Sequence, residues 1–152
     1  NYISAHFSMI EKVVGNNYTN EPMAFLLEDS EIQEEIEPYI MARIVDFEEF
    51  IRQYPFDIIS IHDDLHFIID DPIMECNCGD FSLRWDAAGN TILERGGTRG
   101  ETVRCDIQTL TAMFYGYKRP TYLKRVERLQ ANDTAVRILE DIIPIEQPYF
   151  SD

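Results

Sequence analysis

Little in this sequence suits a secreted, membrane-borne or nucleic-acid-bound protein. Its 152 residues contain only three cysteines, Cys76, Cys78 and Cys105. Three cysteines make no even disulfide framework, so reduced thiols in a cytoplasmic setting are expected. No apolar run approaches the about 20 residues needed to cross a bilayer, and no basic-then-apolar leader is present. Basic residues are scarce: 13 Lys and Arg stand against 28 Asp and Glu, for a net charge of -15. Nucleic acid and anionic membranes are bound through an excess of Lys and Arg, so neither is expected as a partner. There is no internal repeat and no low-complexity segment. The first residue is Asn1 rather than Met, and Ile3, Phe7 and Ile10 begin an apolar periodicity with no capping signal before it, so the chain reads as a piece that starts inside an element.

Apolar material is sufficient for a core, with 45% hydrophobic and 12% aromatic residues. The length suits one ordinary domain, or a domain of roughly 100 residues with an attached piece. The acid is unevenly placed. Residues 1–76 hold 17 Asp and Glu against 3 Lys and Arg, whereas residues 77–152 hold 11 against 10. Such a surface keeps a protein soluble and also suits a cationic ligand.

The stretch around Asp46 organises the rest. Ala42 to Val45 reads as a short strand; Asp46 then stands as a helix N-cap with Glu49 as the acidic partner of a capping box. Phe47, Phe50, Ile51 and Tyr54 follow at the spacing of one buried helical face, and Pro55 ends the helix. Before it, Tyr2 to Val14 has helical spacing closed by Gly15, Met23 to Leu27 suits a buried strand, and the acidic Glu28 to Glu37 suits a short surface helix. The change in charge and pattern at Pro38 divides the chain into residues 1–38 and 39–152.

After the helix, Phe56 to His62 and Leu65 to Asp70 read as two strands joined by Asp63-Asp64 as a hairpin. Phe81 to Trp85 and Thr91 to Arg95 form a second hairpin around Asp86 to Asn90. Gly96 to Gly100 reads as a flexible loop, and Thr102 to Cys105 as another short strand. The pattern then turns helical. Asp106 caps Ile107 to Tyr115, with Gly116 as the stop; Pro120 or Thr121 starts a helix through Leu129; Asn132 or Asp133 caps a third through Ile143. The tail Pro144 to Asp152, with two prolines and two aromatics, is expected to be extended and docked. Segregated strands and helices mean an α+β fold with a four- to five-stranded, mostly antiparallel sheet.

Chemistry-bearing residues are present without the spacing that would give them a role. Cys76, Cys78, Cys105, His62 and His66 include zinc-ligand types, but Cys76-x-Cys78 lacks the usual two to four intervening residues, and two histidines four apart on a strand do not converge as on a helix. Ordinary packing is the expectation for them, and nothing orients a cysteine nucleophile toward His66. Asp63, Asp64, Asp70 and Asp71 lack the Gly-containing twelve-residue loop of a specific cation site. Arg43, among apolar neighbours, is expected to pair with a nearby carboxylate.

Several stretches together carry a resemblance: Pro38-Tyr39-Ile40-Met41-Ala42-Arg43-Ile44-Val45-Asp46, Asp71-Pro72 with Asn77-x-Gly79, Leu110-Thr111 with Gly116-Tyr117, and the tail Pro148-Tyr149-Phe150-Ser151-Asp152. In this order they resemble the C-terminal third of the Eis-like acetyltransferases, GNAT-superfamily bacterial enzymes with two tandem acetyltransferase-like domains followed by a sterol-carrier-protein-like domain. The resemblance implies that residues 1–38 close the second acetyltransferase-like domain, including Phe7 to Ile10 and Pro22 to Leu27, and that 39–152 form the sterol-carrier-like domain. It implies a parent enzyme, a homo-oligomer, that moves acetyl from acetyl-CoA to a cationic amine, with the N-terminal acetyltransferase domains as this chain's partners. The acetyl-CoA unit of that family has no counterpart here. Arg95-Gly96-Gly97-Thr98-Arg99-Gly100 imitates its loop, but Thr98 stands where Gly is needed and no helix follows, so no cofactor-binding residue is carried over. In the family the C-terminus reaches the acetyltransferase site, where its carboxylate takes part in proton transfer from the amine. No catalytic residue is carried over, and no metal ligand; Tyr149, Phe150 and Asp152 are expected to line the substrate side.

Three function classes compete. One is an accessory domain of an N-acetyltransferase that shapes an acidic cleft; a second is a lipid- or sterol-binding module, which needs an apolar cavity of roughly 300 Å³ or more beneath the sheet; the third is a structural or oligomerising domain. A core filled by Phe67, Phe81, Trp85 and Phe114 would oppose the second.

Overall fold

A computed structural model describes residues 41–57 and 63–146, with Met9 and residues 12–15 and 32–35. The chain divides into two compact units, Asn1–Glu37 with Tyr149–Asp152, and Pro38–Pro148. The strands and helices described below belong to the second. Of the two helices expected in the first, the described residues 12–14 and 32–35 lie in no regular element, while Met9 is in a 3₁₀ turn.

Helix α1 (Phe47–Gln53) begins where the sequence places it: the Asp46 carboxylate accepts from the Glu49 amide at 2.9 Å. Only half of the capping box forms, because the Glu49 carboxylate turns to Arg52 and Gln53 instead. Then come β1 (Leu65–Asp70), a single 3₁₀ turn (Glu75–Asn77), β2 (Gly79–Trp85), β3 (Thr91–Arg95), β4 (Glu101–Asp106), α2 (Ile107–Phe114), α3 (Pro120–Arg125), β5 (Gln130–Ala131) and α4 (Asp133–Ile142). The strands make one sheet in the order β3-β2-β1-β4-β5, antiparallel except for the β1–β4 pair. Five strands in a mixed sheet with four helices make the α+β fold expected.

One face of the sheet is core. Leu65, Phe67 and Ile69 of β1, Phe81 and Leu83 of β2, and Val103 and Cys105 of β4 are buried there against residues of the helices, including Phe47, Ile51, Leu110, Met113, Leu139 and Ile142. Phe47 stands edge-on to Phe81 at 5.0 Å and to Phe67 at 5.8 Å between ring centroids, and Phe114 lies 6.3 Å from Phe67. The two edge-to-face pairs of Phe47 add to the burial of the rings themselves.

Four expectations are corrected. Ala42 to Val45 is not a strand: the Ile44 amide donates to the Thr111 hydroxyl at 3.2 Å and the Val45 carbonyl accepts from the Asn77 side chain, so side chains supply the partners a ladder would have given. Asp63-Asp64 is not a hairpin turn. Both edges of β1 are taken, by β2 and β4, so it is not half of a hairpin with what precedes it; of the strand expected over Phe56 to His62, residues 58–62 lie outside the described residues, and the Asp57 amide donates to the Ile142 carbonyl at 2.9 Å. The helix from Pro120 stops at Arg125 rather than Leu129. Glu127 takes a left-handed φ of 60°, the Arg128 and Leu129 amides both donate to the Leu123 carbonyl, and the chain turns into β5, an element the sequence did not announce.

The fourth correction is the loop after β3. Gly96 to Gly100 is pinned rather than flexible: Ser82 donates its hydroxyl to the Arg99 carbonyl at 2.5 Å, Gly96 donates to the Asp80 carbonyl at 2.6 Å, and Arg99 pairs with Asp64. Gly100, at a φ of 107°, passes so close to β1 that a Cβ would collide with the Asp64 carbonyl and the Leu65 amide. The loop lies over the second face of the sheet, where Ser82 and His66 are buried.

Candidate functional site

The polar centre of the domain is Asp71, whose side chain is wholly buried. Asp71 follows β1 directly, and its carboxylate accepts from Arg43 Nη2 at 2.6 and 2.7 Å, from the Ile73 and Met74 amides at 3.0 and 3.1 Å, and from Asn77 Nδ2 at 2.8 Å. Burial alone would push the carboxyl up; the bonds from Asn77, Ile73, Met74 and Arg43 outweigh it and hold the group well below the usual carboxylate range. Asn77, on the 3₁₀ turn, is also buried and uses its carbonyl oxygen to accept from the Phe47 amide at 2.9 Å, the first residue of α1. Arg43, Asp71 and Asn77 thus tie the segment before α1 to the segment after β1. The pairing expected of Arg43 is present, and its partner is Asp71.

Beside this cluster lies an open groove of about 410 Å³. Ile44, Phe50, Tyr54 and Tyr115 give it an apolar, aromatic lining, while Asp46 and Glu49 bring carboxylates to it. Phe50 stacks on Tyr115 at 5.8 Å and an interplanar angle of 29°. Tyr54 fixes the groove to α2 by donating to the Phe114 carbonyl at 2.8 Å, and burial pushes its phenol up to about 12, so it stays neutral at physiological pH. Aromatic faces with carboxylates beside them suit a cationic or apolar group. Among the described residues that line the groove, no nucleophile is held against a general base.

The other chemistry-bearing residues are kept apart. His66 Nε2 lies 2.7 Å from the Asp80 carboxylate, Cys78 Sγ is bonded to the Asp71 backbone, Cys76 is exposed, and Cys105 lies in the core, where burial pushes its thiol up. Among the described residues no three His, Cys, Asp or Glu side chains gather as metal ligands do. Of the four clustered aspartates, Asp64 pairs with Arg99 and Asp71 with Arg43. His62, Tyr149, Phe150 and Asp152 lie outside the described residues. The sequence places Tyr54 on the buried face of the first helix, Asn77 within the resemblance and Tyr115 at the end of a helix, but gives none of them a role at a site; Asn77 stands six residues after Asp71, the carboxylate it binds.

A model of the family described as sterol carrier protein domain matches residues 47–151. Among solved structures, the chain is similar to a protein of Enterococcus faecalis V583 described as of unknown function and a probable N-acyltransferase. That likeness has a TM-score of 0.69 and 28% identity and covers 98% of this chain and 38% of that one. A GCN5-related N-acetyltransferase from Anabaena variabilis ATCC 29413 matches at a TM-score of 0.59 and 29% identity, over 70% of this chain and 26% of that one. Another from Kribbella flavida matches at 0.58 and 22% identity, over 70% and 27%, and at that identity bears on the fold alone. The chain therefore spans well under half the length of these proteins. A search of curated protein sequences finds no match. Among the described residues no helix is long and apolar enough to cross a membrane.

Proposed function

We propose that this chain, which belongs to the sterol carrier protein domain family, serves as the accessory C-terminal domain of an Eis-like N-acetyltransferase, a cytoplasmic enzyme that moves acetyl from acetyl-CoA to amine substrates. The observation that carries the reading is the likeness along 98% of the chain, at 28% identity, to part of a probable N-acyltransferase. The domain's own chemistry supports the accessory role. Its polar cluster is saturated with internal bonds, and its groove offers aromatic rings and carboxylates as contacts. The net charge of -15 is of the sign that draws a cationic amine toward an acidic cleft. In this reading the acetyltransferase domains of the longer protein hold the acetyl-CoA, and Tyr149, Phe150 and Asp152 stand on the substrate side. The lipid-carrier alternative is opposed by the core: Phe47, Phe67, Phe81 and Phe114 pack ring against ring on the face of the sheet where an apolar tunnel would need open space.

The reading has a direct test. The 152-residue chain, incubated with acetyl-CoA and a polyamine and followed by thiol release, should consume thioester no faster than buffer does. Turnover by the isolated chain would overturn the accessory role.

A further inference from the structure

The second face of the sheet, away from the packed rings, holds a run of polar side chains separate from the groove. His66 of β1 stands in register with Ser82 of β2 and Thr102 of β4, and residues in register share a face of the sheet. His66 is buried, with Nε2 2.7 Å from Asp80 Oδ1 and Nδ1 3.5 Å from the Thr102 hydroxyl. A carboxylate only accepts, so Nε2 carries the proton; in the neutral ring Nδ1 is then bare, and the Thr102 hydroxyl is its donor. Ser82 is no rival for that nitrogen, because it is buried and donates its hydroxyl to the Arg99 carbonyl. Thr102, by contrast, is exposed. The next row of the same face sets Ile68 in register with Asp80 and Arg104, which brings a half-buried apolar side chain and an exposed cation to the neighbourhood of Thr102. Arg104 takes part in no ion pair among the described residues.

A hydroxyl held on one nitrogen of an imidazole whose other nitrogen is fixed by a carboxylate is the arrangement that makes an alcohol a nucleophile. We propose that Thr102 attacks small uncharged aryl esters, with His66 as its general base and Asp80 as the residue that positions the imidazole. Thr102 Oγ1 bonds to the acyl carbon while its proton passes to His66 Nδ1; the bond from that carbon to the aryl oxygen breaks, and the proton goes on to the departing phenolate. Water then attacks the Thr102 ester by the same route: His66 takes a proton from the water and returns it to Thr102 Oγ1, and the carboxylic acid is released. Arg104 brings positive charge to the side where the oxyanion of each step develops, and Ile68 gives the ester an apolar rest. The contact between Thr102 and His66 is the looser of the two, as such pairs often are before substrate binds. Acyl-CoA is a poor donor for this site, because its phosphates are repelled by a chain of net charge -15. This inference does not depend on the acetyltransferase reading.

The probe is p-nitrophenyl acetate at slightly alkaline pH, with nitrophenol release followed by absorbance and the acetylated peptide located by mass spectrometry. Cys76→Ser serves as the parent, so that the exposed thiol adds no reaction of its own. A rapid first release should leave an acetyl group on Thr102, followed by slower turnover. Thr102→Val, which keeps the side-chain shape at an exposed position, should slow that first release by about a hundredfold, and Thr102→Ser should retain it. Asp80→Ala should slow it by about tenfold with the circular dichroism unchanged, and Asp80→Glu, which returns a carboxylate, should recover part of the loss. NMR of the His66 ring nitrogens should find the proton of the neutral ring on Nε2. Acetyl found only on lysines, a rate indifferent to Thr102→Val, or a neutral ring with its proton on Nδ1 would overturn the proposal.

Discussion

Asp71→Ala should lower the stability of the folded chain by about 3 kcal/mol, measured by urea denaturation, at the low end of what breaking a buried charge pair costs. The size follows from what the substitution strands. Asn77 and the Ile73 and Met74 amides lose an acceptor, as does Arg43. Arg43 can partly recover in water, its side chain being 28% exposed, which keeps the cost from the upper end of the range; Asn77 is buried and cannot. The loss should be felt at α1, because Asn77 holds the Phe47 amide. Asp71→Asn keeps the shape but removes the charge, and it exposes the pH dependence. The carboxyl is held lower in the fold than in the unfolded chain, where it titrates near about 3.9. Its contribution is therefore complete above that value and is lost progressively as the pH falls below about 4 toward the depressed native value, so the Asn variant should show a flatter acid limb. A cost under about 1 kcal/mol for the alanine variant would mean that the cluster does not hold these segments together.

Phe47→Ala should cost about 3–5 kcal/mol, the range for removing a buried aromatic ring from a packed core. Phe47 is 1% exposed and fills the space between Phe67 and Phe81, so its loss removes both ring contacts and leaves a void lined by apolar side chains. A void of that kind stays dry and admits small apolar molecules, so benzene should raise the melting temperature of the variant and leave the parent unchanged. Benzene stabilising the parent to the same extent would show apolar space already present in the core, and would revive the lipid-carrier reading.

Most of the fold can be read from local pattern because local chemistry decides it. Asp46, Asp106 and Asn132 cap their helices through contacts three residues away, a spacing visible in any sequence. The β2–β3 hairpin is legible for the same reason: Asp86 closes its own turn on Ala88 and Asn90, with Gly89 at a φ of 83°. The misreadings are non-local. Ala42 to Val45 has strand-like residues, but Thr111 and Asn77, 67 and 32 positions away from the atoms they bind, satisfy its backbone. β5 is only two residues long and exists because Val103 and Arg104 of β4 offer an edge. The rigidity of Gly96 to Gly100 likewise comes from Ser82 and Asp64, not from the loop itself. At the site, the sequence supplied Arg43 and the need for a carboxylate partner, while the groove required knowing that Tyr54 and Tyr115 are brought together by α1 and α2.

The proposed accessory role is tested most directly in the longer acetyltransferase that the proposal implies, by measuring acetyl transfer to an amine before and after removal of the residues following Pro148. Those residues lie past the last hydrogen bonds that Arg119 makes to the Ile143 and Pro144 carbonyls, so the Arg119 clamp is left in place. Acetyl transfer should be abolished or fall steeply while the truncated protein keeps its melting temperature. Unchanged turnover would contradict a role at the substrate side and leave the domain as scaffolding.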